Sequence, residues 1–394
     1  MHIKFSPEDE RFRQEAANWL EAQLSGPFRH LRGSRSHTGQ SEERRVWEKA
    51  LGEARWSCIG MPEAYGGRDA TLNQQVIFAE EYARAGAPAR LGHIGVELTA
   101  PTILHFGTDA QKRSFLPRIA SGQDIWCQGY SEPGAGSDLA NVRTRARLEQ
   151  GPNGPHWVIE GHKIWTSLAQ FSNWIFVICR TEPDTKGAKG LSCLLVPMDQ
   201  PGVTIRPIKQ MTGDAEFNEV FFDGAVTAAD NIVGKPGEGW AVAMGTLAFE
   251  RGASTLAQQM DFRNELNDVI AAAKRNGKAQ DPIFRQRLAK AEIGLRIMRY
   301  SSLRMLSGDA GSLSNAAYTY KIYWANWRQQ LGELAMDILG PAAELAHEDG
   351  HFDPLVHMFL MSRSDTIYAG TDQIQRNIIA ERALGLPKEA RGAA

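Results

Sequence analysis

The chain has 394 residues, 42% of them hydrophobic, a formal net charge of −2 and four cysteines. That length exceeds one compact core and predicts two or three domains, while the balanced charge argues against bulk nucleic-acid binding. No apolar run reaches the ~20 residues of a membrane helix, and Met1-His-Ile-Lys-Phe-Ser-Pro has no signal-peptide core, so a soluble cytoplasmic protein is expected. Cys58, Cys127, Cys179 and Cys193 are scattered with no metal-ligand spacing; they read as reduced packing residues, with neither disulfide framework nor metal site.

Ser6 as an N-cap with Pro7 after it starts a helix that runs through Trp19 and Leu24. Residues 26–41, rich in Gly, Ser and Arg without apolar period, read as a mobile surface loop. Helical patterns resume over 42–54, 71–84 and near 96–105, with a turn at Met61-Pro-Glu-Ala-Tyr-Gly-Gly, so the first ~120 residues are expected to be helical.

The pattern changes at Asp124. Segments 126–130, 141–148, 156–165, 174–180, 191–197, 203–208 and 219–226 are short, rich in β-branched and aromatic residues, and separated by Gly/Pro/Asp clusters. With no helical segment between them they predict an antiparallel barrel or sandwich ending near Val233. After Gly234-Lys-Pro-Gly-Glu-Gly the helical period returns over 240–275, 282–307, 313–339 and from Gln373, with short connections, as in an antiparallel helix bundle. The expected domains are 1–121 (helical), 122–234 (β) and 235–394 (helical bundle), an α+β multidomain chain.

Three clusters and one carboxylate are candidates for chemistry. Gln128-Gly-Tyr-Ser-Glu-Pro-Gly-Ala-Gly-Ser-Asp138 places Tyr130 and Ser131 before a Pro-Gly turn in which Gly134 and Gly136 leave the backbone uncovered. Either it holds a flat, polar-edged ligand or it is an ordinary turn between strands. It lacks the third glycine and the preceding apolar strand of a dinucleotide fingerprint, which excludes a Rossmann domain. In Lys163-Ile-Trp-Thr-Ser167, Trp165 offers an apolar face and Thr166 and Ser167 offer hydroxyls, suited to an aromatic heterocycle or simply to a barrel core. In Thr366–Arg376, Gly370 breaks a helical run and Thr371 or Asp372 can cap the next helix. Glu250 lies on a stripe with Ala243, Thr246, Leu247, Ala253, Ser254 and Ala257. A carboxylate on such an inward face is either a desolvated general base or the partner of a buried Arg.

In this order the clusters resemble the acyl-CoA dehydrogenase family of flavoproteins. Tyr130–Asp138 is similar to its flavin loop and Lys163–Ser167 to its second flavin segment. Phe217-Asn-Glu-Val-Phe-Phe-Asp223, Gly237-Glu-Gly-Trp240 and Tyr368-x-Gly-Thr-x-Gln-Ile-Gln-Arg376 match as well. The resemblance runs from about Phe5 to Pro387. It implies a helical N-terminal domain, a central β-barrel and a C-terminal four-helix bundle with FAD between barrel and bundle. It further implies that Gln128, Tyr130, Ser131, Trp165, Thr166 and Ser167 surround the isoalloxazine. Ser137 would lie by the thioester arm, and Thr371 and Gln373 would reach the nucleotide portion of FAD. The implied reaction, of the kind that runs fatty-acid β-oxidation, is α,β-dehydrogenation of an acyl-CoA, with an electron-transfer flavoprotein as reoxidant.

The family's commonest base precedes the Gly-Thr of the third motif, where this chain has Ala369; some members carry the base on the bundle helix, at the position matched by Glu250. Arg251 is assigned to substrate binding or ion pairing. The family's Arg-x-x-Phe-Gly is replaced by Lys274-Arg-Asn-Gly-Lys, leaving Arg285 as the substitute toward the FAD pyrophosphate, and the Gln-x-x-Gly-Gly segment reads Asp337-Ile-Leu-Gly-Pro341. These departures are similar to the bacterial branch that includes steroid-side-chain and dicarboxylyl-CoA dehydrogenases. A homotetramer or homodimer is expected, a heterotetramer being the alternative. Two other expectations stand beside it: a flavin monooxygenase or desulfinase on the same fold, and a subunit of a heteromeric steroid-side-chain acyl-CoA dehydrogenase.

Overall fold

The computed structural model describes residues 5–34, 38–152, 154–249, 254–306, 315–346 and 352–388. It divides into two units, Met1–Gln210 with Asp214–Ser254, and Met211–Gly213 with Thr255–Ala394.

The first unit begins with helices α1 (Pro7–Ser25), α2 (Ser41–Glu53) and α3 (Leu72–Arg84). Ser6 and Asp9 form a reciprocal capping box at α1, and Thr71 and Gln74 do the same at α3, so both starts are fixed by the residues that signal them. Phe12, Ala16, Leu20 and Leu24 recur every four residues along α1 and are buried against Trp47 and Leu51 of α2 and Ile77 and Phe78 of α3. Phe28 and Leu31 join this core, which corrects the reading of 26–41 as a surface loop: two apolar side chains within a basic stretch suffice to pin it, and the short 3-10 turn Arg29–Leu31 turns them inward.

A single π-helical turn, Gly95–Thr99, leads into α4 (Ala100–Phe106), and α5 (Asp109–Ala120), not anticipated from the sequence, follows with a Thr108/Gln111 capping box. Gln111 also donates to the carbonyls of Asp230 and Ile232, tying α5 to the sheet.

The eight strands are β1 (Trp126–Gly129), β2 (Arg145–Gly151), β3 (Gly154–Ser167), β4 (Trp174–Arg180), β5 (Leu191–Pro197), β6 (Val203–Ile208), β7 (Phe217–Ala228) and β8 (Ile232–Val233). Seven run in the order β6-β7-β3-β2-β4-β5-β8 and β1 adds to β4. The pairings are antiparallel as expected except β1 with β4 and the single contact of β2 with β4, which are parallel. One sheet face carries Cys127, Ile159, Ile175, Val177, Val196 and Val220, and the opposite side packs on the α4–α5 region through Trp126, Phe176, Ile178 and Leu195. Helix α6 (Gly239–Phe249) adds Val242 and Ala243 to that second cluster, and its Thr246 hydroxyl bonds Thr102 of α4 at 2.8 Å.

The second unit holds α7 (Ser254–Arg275), α8 (Pro282–Leu306), α9 (Asn315–Leu339), α10 (Pro354–Ser362) and α11 (Asp372–Ile378). Phe262, Leu266, Val269, Leu295, Met298, Trp324 and Leu331 form its core. Helix α10, a nine-residue element started by Pro354 and capped by Asp353, was not anticipated. All four cysteines are free and buried. Among the described residues no helix is long and apolar enough to cross a membrane.

Candidate functional site

Strand β3 is regular up to Lys163, where it pairs with Val220 of β7; the next pairing is Thr166 with Asn218. Three steps on β3 therefore answer two on β7, a β-bulge at Ile164-Trp165. Trp165 takes φ +61°, in the left-handed region that costs a bulky residue about 1–2 kcal/mol. The consequence is geometric. In an unbroken strand residues 163 and 166 face opposite sides; with the extra residue both point inward, Lys163 at 0% and Thr166 at 1% exposure, while Trp165 is turned out at 56%. Its ring meets Phe217 edge-on at 6.3 Å. Trp165 is thus an exposed aromatic face and not a barrel-core residue.

The loop after β1 lies beside the bulge, with Ile164 N donating to the Ser131 carbonyl at 2.9 Å. Tyr130 is buried with its ring edge-on to Phe176 at 5.6 Å. Glu132 and Ala135 exchange backbone bonds of 3.1 and 3.0 Å, closing the Pro-Gly turn. No heavy atom lies within 4 Å of a Cβ built on Gly134 or Gly136, so packing within the protein does not demand glycine at either position. Ser137 is exposed.

Among the side chains assigned to the isoalloxazine, Gln128 Nε2 and Thr166 Oγ1 are buried polar atoms with no hydrogen-bond partner among the described residues. Each costs about 1–3 kcal/mol if left unmade. A flat heterocycle with acceptors along its edge would satisfy them beside the Trp165 face, so these residues fit an isoalloxazine. Gln128, Tyr130, Ser131, Trp165, Thr166 and Ser167 could hold it.

Sequence reasoning missed the group underneath. Lys163 Nζ donates to the carbonyls of Tyr130 (3.0 Å) and Ile178 (2.7 Å) and to Glu132 Oε1 (2.8 Å). Glu132 also accepts from Arg143 N (2.6 Å) and Thr144 N (2.8 Å). Burial works to raise the Glu132 carboxyl, but the Lys163 charge and the hydrogen bonds from Lys163, Arg143 and Thr144 together hold the group below the ordinary carboxylate range. Burial likewise draws the Lys163 ammonium down, with Glu132 opposing. The available signal was a lysine inside a strand and a glutamate two residues past Tyr130.

In the second unit Thr371 caps α11, accepting from Ile374 N at 3.2 Å, and Gln373 is exposed. Ala369 and Gly370 take φ +49° and +87°, the break expected at Gly370. The segment is anchored from below: Arg328 bridges Glu265 and the buried Asp365, and Tyr368 Oη donates to Asp365 at 3.1 Å. Burial pushes Asp365 up to about 6 against the opposing pull of Arg328. Gln375, not singled out from the sequence, is 1% exposed, donates to the Ala369 carbonyl at 3.1 Å and leaves Oε1 without a partner among the described residues. Arg285 is exposed near the start of α8.

Glu250 and Arg251 lie outside the described residues, as does Ala253. Of the stripe assigned to Glu250, Ala243 and Thr246 are fully buried and Leu247 packs against the core.

Known proteins carry the same organisation. The N-terminal, middle and C-terminal domains of acyl-CoA dehydrogenase match residues 6–123, 127–225 and 237–384. The chain is 52% identical over 387 residues to acyl-CoA dehydrogenase IpdE1 of Mycobacterium tuberculosis, covering 97% of this chain and 99% of that protein. Among solved structures it is similar to the Tcur3481-Tcur3483 steroid ACAD, with a TM-score of 0.86 at 28% identity over 99% of this chain and 100% of that one. It is also similar to the ChsE4-ChsE5 complex from M. tuberculosis, with a TM-score of 0.83 at 29% identity over 99% of this chain and 100% of the other. The chain belongs to the acyl-CoA dehydrogenase family and is an FAD-dependent flavoprotein oxidoreductase.

Proposed function

We propose that this enzyme removes the α and β hydrogens of an acyl-CoA thioester to give the trans-2-enoyl-CoA, with Glu250 as the base. The observation that carries the reading is the pair of orphaned groups, Gln128 Nε2 and Thr166 Oγ1, beside the outward face of Trp165. They suit the polar edge and flat face of the cofactor, with Tyr130, Ser131 and Ser167 around it and Ser137 toward the thioester. Bound FAD supplies the chemistry of accepting the β-hydrogen with its electron pair, and an electron-transfer flavoprotein is the proposed reoxidant. The carboxylate of Glu250 is the group proposed to take the α-proton, on the sequence stripe of small and apolar residues on which its position falls. Arg251 is proposed at the substrate, and Arg285, Thr371 and Gln373 toward the nucleotide portion of FAD.

The substrate class we propose is a steroid-derived acyl-CoA, and the working assembly a two-chain enzyme. Support comes from the likeness to a steroid ACAD named for two chains and to the ChsE4-ChsE5 complex. The test is anaerobic titration of the FAD-loaded protein with acyl-CoAs of graded length and with steroid acyl-CoAs, alone and after co-expression with candidate partner chains. Bleaching of the flavin band by a steroid thioester is expected, and Glu250→Gln should abolish it while FAD stays bound. Bleaching that persists in Glu250→Gln would overturn the base, and reduction only by straight-chain thioesters would overturn the substrate class. Failure of every thioester to reduce the flavin without oxygen would favour the monooxygenase or desulfinase alternative.

A further inference from the structure

We infer that Lys163, with Glu132, is the positioning residue that sets the two flavin segments in register with each other. The three ammonium protons match three acceptors, at Tyr130, Glu132 and Ile178, each within 3.0 Å, and the group is fully buried. Two of the three belong to the loop after β1, on either side of Ser131, whose own carbonyl is taken by the amide of Ile164. The loop is therefore gripped at three successive residues by two neighbouring residues of β3.

The same lysine marks the start of the bulge. Trp165 and Thr166 follow it after Ile164 alone, so the anchor that fixes Tyr130 and Glu132 also fixes the point from which the Trp165 face and the Thr166 hydroxyl project. Glu132 carries the tie onward to the entry of β2 through the amides of Arg143 and Thr144. A neutral loop could fold without such a pair. Burying both charges is costly in general, and apolar replacements of similar volume are often no less stable, so retention of a complete ionic knot here points to geometry more than to stability. Stretched between a loop and a bulge, it determines the distance between the two surfaces that meet the isoalloxazine.

The inference rests on the proposed placement of FAD at these segments, and the experiment separates the two. FAD is stripped from the purified protein and retitrated by quenching of flavin fluorescence, and the visible circular dichroism of the reloaded protein is recorded. This is done for wild type, Glu132→Gln, the charge-neutral pair Lys163→Met/Glu132→Gln, and Thr166→Val as the control for placement. Glu132→Gln, nearly isosteric and with its oxygen still able to accept, is expected to fold as wild type and bind FAD several-fold more weakly. The neutral pair is expected to lose at least tenfold, with an altered visible dichroism. Weakened binding in Thr166→Val together with wild-type affinity and dichroism in Glu132→Gln and in any folded neutral pair overturns the positioning role while leaving the placement intact. Wild-type affinity in all the variants overturns the placement and the inference together. Should the neutral pair fail to fold, Glu132→Gln alone decides, by its affinity and dichroism.

Discussion

Replacing Thr166 by Val removes one hydroxyl and keeps the shape, so its consequences can be worked from the structure with a sign for each state. In the protein without FAD, Oγ1 is a buried polar atom with no partner among the described residues, on a side chain 1% exposed. Such an atom costs about 1–3 kcal/mol, and valine relieves that cost. The backbone bonds of the residue remain, including the carbonyl that accepts from Asn218 Nδ2 at 3.0 Å. The FAD-free variant should therefore unfold at a higher temperature than wild type, by about 1–2 °C for each kcal/mol recovered. On the proposed placement the hydroxyl finds its partner in bound FAD, so the variant would lose what wild type gains on binding. The same 1–3 kcal/mol then appears as an FAD dissociation constant roughly 5- to 150-fold higher. Thermal melts of the stripped protein and a fluorescence titration with FAD measure the two halves. A variant that is less stable without FAD and binds it as tightly as wild type would refute the argument, since the hydroxyl would then have a partner inside the protein.

Trp165→Gly separates backbone from ring: glycine accepts φ +61° without strain, which offsets the lost contact with Phe217, while the aromatic face disappears. The stripped protein should keep its melting temperature within a few degrees and FAD affinity should fall at least tenfold; equal affinity in the variant would count against Trp165 as a flavin contact. In the second unit, hydrogen bonds from Arg263 and then Arg296 hold the Glu292 carboxyl down at about 2. A lowered folded-state value contributes stability that is complete above the ordinary value near 4.5 and is lost as pH falls from there toward 2. The difference in melting temperature between wild type and Glu292→Gln should therefore shrink from pH 7 to pH 3.5, and shrink further in high salt because the pair is partly exposed. A difference independent of pH would show that the Arg263 link between α7 and α8 carries no net stabilisation.

Much of the architecture was legible because local signals and burial agree. Ser6-Pro7 and Thr71 mark helix starts that the structure keeps, and segments 174–180, 191–197 and 203–208 coincide with β4, β5 and β6. The misses have physical causes. Helix α5 follows α4 after only two residues and contains Pro117, so its pattern merges with its neighbour's. Helix α10 is short and apolar nearly throughout, which gives no periodic contrast. The burial of Phe28 and Leu31 is set by the Trp47 ring and its neighbours, supplied from elsewhere in the chain.

The candidate site could be read from the sequence only as a set of residue types and not as a geometry, and β3 shows why. Strand parity read from Lys163 puts Thr166 on the opposite face, and with it either the lysine or the threonine must look outward. One inserted residue reverses that, and nothing in Lys-Ile-Trp-Thr-Ser announces the insertion, because tryptophan is a poor residue for a left-handed backbone. Such a conformation persists only where the surroundings over-determine it. Here the pairing with β7 resumes at Asn218 on one side and the Lys163 knot holds on the other, so the bulge is confined between two fixed points. The strain at Trp165 thus follows from two interactions that a local reading takes as unrelated, a lysine bound to a distant loop and an asparagine on the adjacent strand. Their joint effect is to present ring and hydroxyl on neighbouring residues, one outward and one inward, at the point where β3 meets the loop after β1.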